Sequence, residues 1–328
     1  MSALPNLDCV RRLVARALPR QCVLGFEPLT GGHCNLNLKV IFDLSHAPVV
    51  LRIYERDPSA CAKETEILRL VRKTAPVPEV FYAEYEREGD VGPFALLEYI
   101  EGPTFTQVKR TNDIDAIQQA SESVGQTLAA IGHYRFSKPG MLGLDDSSGR
   151  LEITSAYVEG PDPIPRLLDT FLASQKLRQR TGESLADRVH KYIWSWAPRL
   201  AELDNARSLV HSDFYAGNLL FKQLDGGWTV AGVLDWEFAF SGSPLIDVGH
   251  FLRFERFDQP LREPHFTRAF VERGGCLPPD WREVVRVLDL TALCEMLTRE
   301  LPPEAISELL SLIQATLEET CWPSMLHG

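Results

Sequence analysis

Between residues 209 and 235 the chain twice places a carboxylate within three residues of the end of an apolar run. Leu209-Val210 lead into His211-Ser212-Asp213-Phe214-Tyr215-Ala216-Gly217-Asn218, and Leu219-Leu220-Phe221 follow. Apolar runs of this length read as short strands, and Gly217 permits a sharp bend, so residues 211–218 are expected to form a loop anchored at both ends. The next strand, Trp228 to Leu234, ends in Asp235. Side chains on so short and anchored a loop can be aimed at a common point.

Asp213, Asn218 and Asp235 supply carboxylate and amide oxygens, the hard ligands that magnesium prefers. In phosphoryl transfer an aspartate accepts the proton of the attacking hydroxyl and an asparagine five residues later holds magnesium. A second aspartate, ending a nearby strand, bridges metal to the nucleotide phosphates. The three residues stand in that order. The competing reading makes them turn and cap residues. His211 precedes an aspartate already suited to act as base, so it is read as a structural histidine bracing the loop. Asp247, in Ser243-Pro244-Leu245-Ile246-Asp247, is read as capping a helix or tying it to that loop.

A second constellation lies upstream. Asp57-Pro58 is expected to start a helix, aspartate as N-cap and proline at the first helical position, running to about Val71. Glu64 lies three, four and seven residues before Ile67, Leu68 and Val71, on the apolar face, where an unpaired carboxylate is costly. The strand Val49-Val50-Leu51-Arg52-Ile53-Tyr54 offers Arg52 as partner. A strand cation held by a helix glutamate orients nucleotide phosphates in kinases, although a purely structural ion pair reads the same way. Thr30-Gly31-Gly32-His33-Cys34-Asn35 reads as a hairpin turn whose glycines could let backbone N–H groups approach a phosphate. Neither a GxGxxG nor a Walker sequence is present.

The first hundred residues mix strand-like runs (Leu36 to Leu44, Val49 to Tyr54, Val80 to Tyr85, Phe94 to Tyr99) with that one helix. Helical periodicity dominates afterwards, over Asp113 to Tyr134, Pro165 to Lys176, Glu183 to Leu200, Leu245 to Phe257, Glu263 to Arg273, Trp281 to Arg299 and Glu304 to Cys321. The composition changes at Glu101-Gly102-Pro103, which places a connection between two lobes there, residues 1–100 and 101–328. Pro139 to Arg150, rich in Gly, Ser and Asp, reads as a surface loop. No apolar run reaches 18 residues and no basic-then-apolar leader opens the chain, so neither a membrane span nor a secretion signal is read. Seven dispersed cysteines without a CxxC pair argue against a disulfide framework or a structural zinc, and suit a reducing cytoplasm. The net charge of −11 opposes nucleic acid and favours cationic partners, or serves solubility alone.

Taken together, these segments resemble the aminoglycoside phosphotransferase and choline kinase group of kinase-like small-molecule phosphotransferases, over nearly the whole chain. The most specific piece is His211 to Leu220, matching the family's His-x-Asp-x-x-x-x-Asn loop, with Val233-Leu234-Asp235-Trp236-Glu237 in place of the protein kinase Asp-Phe-Gly. Leu29 to Asn37 resembles the nucleotide loop, with Gly31, Gly32 and Asn35 implied as nucleotide contacts. Leu51-Arg52 and Glu64 resemble the phosphate-facing cation and its helix partner. Leu96 to Gly102 resembles the hinge, where the backbone at Glu98 and Ile100 would bond the adenine. The cation here is arginine rather than the more familiar lysine, which keeps charge but changes geometry.

The resemblance implies an α+β, bilobal protein-kinase-like fold: an N-terminal antiparallel sheet lobe with one helix that binds nucleotide, and a larger, mainly helical C-terminal lobe that binds the acceptor. It implies ATP, or GTP, with Mg²⁺ as cofactors, Asp213 as catalytic base and Asn218 and Asp235 as metal ligands. The acceptor would be a small-molecule hydroxyl, an aminoglycoside-like antibiotic first, with choline, ethanolamine, homoserine or a sugar as alternatives. A nucleotide-binding pseudokinase is a further alternative, against which stands the presence of Asp213, Asn218 and Asp235 together. Only Phe238 to Pro244 separates the Asp235 strand from the next helix, so there is no long activation segment to hold a peptide substrate.

Overall fold

The computed structural model describes residues 4–318 apart from 30–34, 44–45, 88, 90, 146–147 and 258. The first part of the chain runs α1 (Leu7–Val14), β1 (Val23–Pro28), β2 (Leu36–Phe42), β3 (Val49–Ile53), α2 (Ala60–Val71), β4 (Val80–Glu84) and β5 (Phe94–Glu98). All five strands join one antiparallel sheet in the order β1-β2-β3-β5-β4. Period-two alternation gives this sheet two buried faces. Leu38, Val40, Leu51, Ile53, Phe94 and Leu96 pack with Val10, Leu13 and Val14 of α1. Ala95 and Leu97 instead join the core that contains Ile67, Leu68 and Val71 of α2. Arg52, between Leu51 and Ile53 and paired across the sheet with Ala95, therefore projects toward α2.

The helix expected from Asp57-Pro58 begins two residues later than the cap pattern implied, at Ala60. Asp57 does not cap it: its carboxylate accepts from the backbone N–H of Ser59 at 3.0 Å and from the Ser59 hydroxyl at 2.6 Å, an Asx-type turn. The amides of Ala60 and Cys61 then bond three residues back, to Asp57 and Pro58, so the entry is a tightened turn.

Beyond the sheet come α3 (Phe105–Arg110), α4 (Ile114–Gly132), β6 (Gly140–Leu144), β7 (Leu151–Ser155), α5 (Pro163–Leu172), α6 (Gln175–Ser195) and α7 (Ala197–Leu200). Next are β8 (Ser208–Val210), β9 (Leu219–Leu224), β10 (Gly227–Val233), β11 (Phe240–Gly242), α8 (Leu245–Leu252), α9 (Glu263–Glu272), α10 (Trp281–Met296) and α11 (Pro303–Leu317). β9 and β10 form a hairpin, and β7-β6-β11-β8 form a second antiparallel sheet. The crossing from the first sheet to this helical region needs Gly102, because a Cβ there would lie 2.0 Å from the carbonyl oxygen of Phe221.

Three expectations are corrected. Residues 139–150 are not simply a surface loop: β6 occupies 140–144 and pairs with both β7 and β11. Gly140 permits this, since a Cβ there would meet the Ser155 carbonyl oxygen at 2.4 Å, and the same glycines made the segment look like a loop. The helix expected over 183–200 is the second half of α6 followed by α7, and α6 begins at Gln175, capped by Ser174, and crosses a kink at Gly182 with φ 69° and ψ 161°. The helix expected to reach Phe257 stops at Leu252, and residues 255–257 form a separate 3₁₀ turn. The strands Leu36–Phe42, Val49–Ile53, Val80–Glu84 and Phe94–Glu98 fall within two residues of the sequence reading. No helix among the described residues is long and apolar enough to cross a membrane, and their cysteines are free thiols.

Candidate active site

Residues 211–218 form the loop between β8 and β9, and Asp235 lies two residues past Val233, the last residue of β10. Asp213 and Asn218 meet within the loop: the Asn218 side-chain amide donates to the Asp213 carboxylate at 2.9 Å and to its backbone carbonyl at 3.0 Å. That commits the nitrogen and leaves the Asn218 amide oxygen as the atom able to ligate a cation. Burial, with Asp235 nearby, pushes the Asp213 carboxyl up to about 6, against the Asn218 amide and the positive fields of Arg253 and Arg299.

His211 is fully buried and braces this loop. Its Nδ1 accepts from the Asp213 backbone N–H at 3.1 Å and its Nε2 lies 2.8 Å from the Leu234 carbonyl, which defines the Nε2–H tautomer. Burial holds the imidazole down to about 4, so it is neutral at physiological pH. Asp247 at the start of α8 grips the same loop from the other side, accepting from the backbone N–H groups of His211 at 2.7 Å and Ser212 at 2.8 Å. Burial pushes this carboxyl up to about 7 in opposition to those two donors. Ser212 and Asp235 both adopt left-handed backbone, with φ of 70° and 62°, an uncommon conformation for non-glycine residues.

Arg52 joins the two parts of the chain. It is 5% exposed and its Nη1 donates to the Asp235 carboxylate, while its Nη2 lies 3.6 Å from Glu237. Its Nε lies 3.1 Å from Glu64, an ion-pair contact that lacks hydrogen-bond direction. Burial alone would disfavour the guanidinium charge, but Glu64 and Asp235 more than offset it and hold Arg52 firmly protonated. Glu64, 1% exposed, is fully engaged: Tyr54 donates its hydroxyl at 2.6 Å and Trp236 its backbone N–H at 3.1 Å. Burial raises its pKa, opposed by Arg52 and Tyr54.

Asn35 donates its side-chain amide to Glu237 at 3.1 Å, 202 residues away, and its own side-chain oxygen is buried without a partner. Gly31 and Gly32 lie outside the described residues. At the hinge, the Glu98 backbone N–H is committed to the Glu79 carbonyl at 2.8 Å, so only its carbonyl could face a base. The Glu98 carboxylate is held by Arg72 at 2.9 Å and by the Glu79 amide at 3.1 Å. Ile100 covers Gly232 of β10, where a Cβ would meet its Cδ1 at 2.6 Å.

Arg52, Glu64 and Asp235 are thus brought into one cluster, Asp213 and Asn218 into a second, and the field of Asp235 on Asp213 joins them. Glu237, Tyr54 and Asp247 complete the network. For Glu237 the available signal was its spacing of two residues from Asp235; for Tyr54, its place two residues beyond Arg52 on the same strand face.

Comparison with known proteins adds an independent view. A family model described as the phosphotransferase enzyme family matches residues 25–285. The crystal structure of aminoglycoside phosphotransferase APH(4)-Ia aligns with a TM-score of 0.69 at 17% identity, covering 97% of this chain and 100% of that one. A ternary complex of a thermostable mutant of that enzyme with AMP-PNP and hygromycin B gives 0.66 at 18% identity, covering 94% and 97%. The GDP and kanamycin complex of APH(2")-IIia gives 0.67 at 16%, covering 96% and 100%. Among curated sequences, acyl-CoA dehydrogenase family member 11 of Gallus gallus is 22% identical over 194 residues, 59% of this chain and 23% of that protein. Its Homo sapiens counterpart is 32% identical over 89 residues, 27% of this chain and 11% of that protein. The chain therefore spans a quarter or less of the length of these curated relatives.

Proposed function

Because the chain belongs to the phosphotransferase enzyme family and has the bilobal fold of kinase-like aminoglycoside phosphotransferases, we propose that it moves the γ-phosphoryl group of ATP to a hydroxyl of a small molecule. The observation that carries this reading is Arg52: one buried guanidinium contacts Glu64 on α2, Asp235 after β10 and Glu237 two residues on. Structural ion pairs need one counter-charge, whereas three carboxylates around one cation leave an excess of negative charge that a divalent metal ion brought with the nucleotide would balance.

In this reading Asp213 accepts or orients the proton of the acceptor hydroxyl. With its carboxyl near 6 it is mostly ionised at physiological pH and still basic enough to take that proton. Asn218, through its free amide oxygen, and Asp235 would hold magnesium, whose charge neutralises phosphate oxygens during in-line transfer. The donor set suits that ion. Among the described residues no group of three or more His, Cys, Asp or Glu forms a metal cage, and magnesium characteristically binds through one or two carboxylates with water and substrate phosphates. Arg52, oriented by Glu64, would position the phosphates, and the Glu98 carbonyl and Ile100 amide would receive the base.

Two acceptor classes have support. Aminoglycosides come first by analogy, since the solved neighbours hold hygromycin B and kanamycin. Anionic hydroxy compounds are favoured by Arg253, at the C-terminal end of α8, and Arg299, just past α10, both of which bear on Asp213. Hydroxy acids and their thioesters belong in the same screen, because the curated relatives are named as acyl-CoA dehydrogenases.

The test is magnesium-dependent ADP formation from ATP with pools of aminoglycosides, choline and ethanolamine, homoserine, sugars, and hydroxy acids with their thioesters, beside an Asp213→Ala control. Stimulation by one pool, lost in the control, supports transfer to that class. Absence of ATP binding, with or without magnesium, overturns the proposal.

A further inference from the structure

α8, α10 and α11 enclose a small cavity at the end of α8 remote from Asp247. Its polar wall is Arg253, Arg256, Arg286, Asp289 and Thr316. Three guanidiniums thus face one carboxylate, and that carboxylate is already saturated. Arg253 clasps Asp289 with Nε at 3.0 and 3.1 Å and Nη2 at 2.6 Å. Arg286 has Glu283 at 3.5 Å, on the exposed rim. Arg256 has neither: its Nη2 donates to the Thr316 hydroxyl at 2.9 Å, and its Nη1 is buried with no partner at all.

A guanidinium presents five donors in a fixed fork that matches the two oxygens of a carboxylate or phosphate. Leaving one arm buried and unpaired, beside a second guanidinium of the same charge, is unfavourable unless something anionic completes the set. Burial and the field of Arg286, only partly offset by Asp289, hold the Arg256 pKa down to about 10.

The location ties this cavity to the catalytic loop. α8 grips that loop at one end through Asp247, and its other end opens on the cavity, where Arg253 is close enough to pull on the Asp213 carboxyl. At 1.5 Å per helical residue, the stretch of α8 from Asp247 to its end at Leu252 spans about 8 Å. We propose that this cavity is an anion subsite, in which Arg256, supported by Thr316 and flanked by Arg253 and Arg286, receives a carboxylate or phosphate group of the acceptor whose hydroxyl lies at Asp213. The proposal rests on the phosphotransferase reading for its second half only, because the anion subsite itself requires no turnover.

The test therefore has two arms on the full chain. In the first, inorganic phosphate is titrated calorimetrically into the wild type, Arg256→Met and Arg256→Lys. The expected result is binding that weakens at least tenfold in Arg256→Met and is largely retained in Arg256→Lys, with melting curves showing all three folded. No phosphate binding by the wild type, or equal binding by Arg256→Met, overturns the subsite. The second arm compares ATP-dependent phosphorylation of hydroxy acids with that of their neutral methyl esters. A wild-type preference for the acid of about 10- to 100-fold in kcat/KM, erased in Arg256→Met with the ester rate unchanged, assigns the anion to the acceptor. Arg256-dependent phosphate binding without that preference overturns the assignment to the acceptor and leaves a site for a free anion. If neither acids nor esters are phosphorylated while phosphate binding still depends on Arg256, the assignment to the acceptor falls; if ATP binding is absent as well, the phosphotransferase reading falls with it.

Discussion

Replacing Glu64 by glutamine removes one charge from the buried cluster while preserving its shape, so it isolates what that charge does for Arg52. The Glu64 carboxylate lies 3.1 Å from Arg52 Nε, accepts the Tyr54 hydroxyl at 2.6 Å and the Trp236 amide at 3.1 Å. At an effective dielectric constant of about 20, a charge pair at that separation is worth about 5 kcal/mol before desolvation is counted. Burial of the carboxylate and repulsion from Asp235 and Glu237 return much of it, and Arg52 keeps both of those acids as partners. The net loss expected is about 2 kcal/mol, less than the roughly 3–5 kcal/mol seen when a buried charge loses its sole partner. In a chain of 328 residues that corresponds to a fall in Tm of about 3 °C. The functional effect should be larger than the structural one. Glutamine turns an N–H toward Arg52, the guanidinium swings toward Asp235 and Glu237, and the phosphates lose their register, lowering kcat/KM for ATP about 10- to 100-fold. The assay pairs calorimetric ATP binding with steady-state kinetics, in Glu64→Gln, Arg52→Lys and the double variant. If Glu64 acts through Arg52, the two losses should be strongly non-additive. A lowered Tm with kcat/KM for ATP within twofold of wild type would reduce Glu64 to a structural counter-charge and remove the main support for Arg52 as the phosphate-positioning cation.

Asp213→Asn should lower turnover about 10²- to 10⁴-fold and at the same time raise stability. The folded pKa of about 6 lies above the unfolded value of about 3.9, so ionising Asp213 costs the fold nothing below pH 4 and its full penalty above pH 6; removing it should contribute up to about 3 kcal/mol at pH 7.5, read from denaturant midpoints. Equal midpoints for the two proteins at pH 7.5 would refute that penalty. The same carboxyl must be ionised to act as base, so log kcat/KM should climb with unit slope below pH 6 and level off above it; a profile flat from pH 5 to 8 argues against Asp213 as the proton acceptor. Gly102→Ala should cost more than about 3 kcal/mol, since the added Cβ would sit 2.0 Å from the backbone oxygen of Phe221, and circular dichroism with thermal melting would reveal a tolerated substitution.

The candidate site was legible largely in short segments. Apolar runs on either side of His211–Asn218 placed Asp213 and Asn218 on an anchored loop, and the strand preceding Asp235 put that acid at its exit, through local propensity alone. The buried stripe of α2 likewise put Glu64 on an apolar face and so demanded a cation. Strand boundaries around Arg52 and Glu98 were readable because period-two alternation is a property of consecutive residues. Where glycine served close approach instead of a turn, at Gly140 of β6, that local signal misled, because an isolated segment does not reveal the strand it will pair with.

What tertiary structure alone decided is which charges meet. The pairing of Asn35 with Glu237 spans 202 residues, the grip of Asp247 on the loop amides spans 35 and 36, and neither spacing has any periodicity to announce it. The same holds for Arg253, Arg256 and Arg286, which look like ordinary surface cations along the sequence and become a buried positive wall only when α8, α10 and α11 close around them. Periodicity and propensity act over a few residues and determine the elements. Partner identity is set by packing, which brings remote side chains together at the cost of ordering the chain between them, and that cost leaves no mark in any one segment.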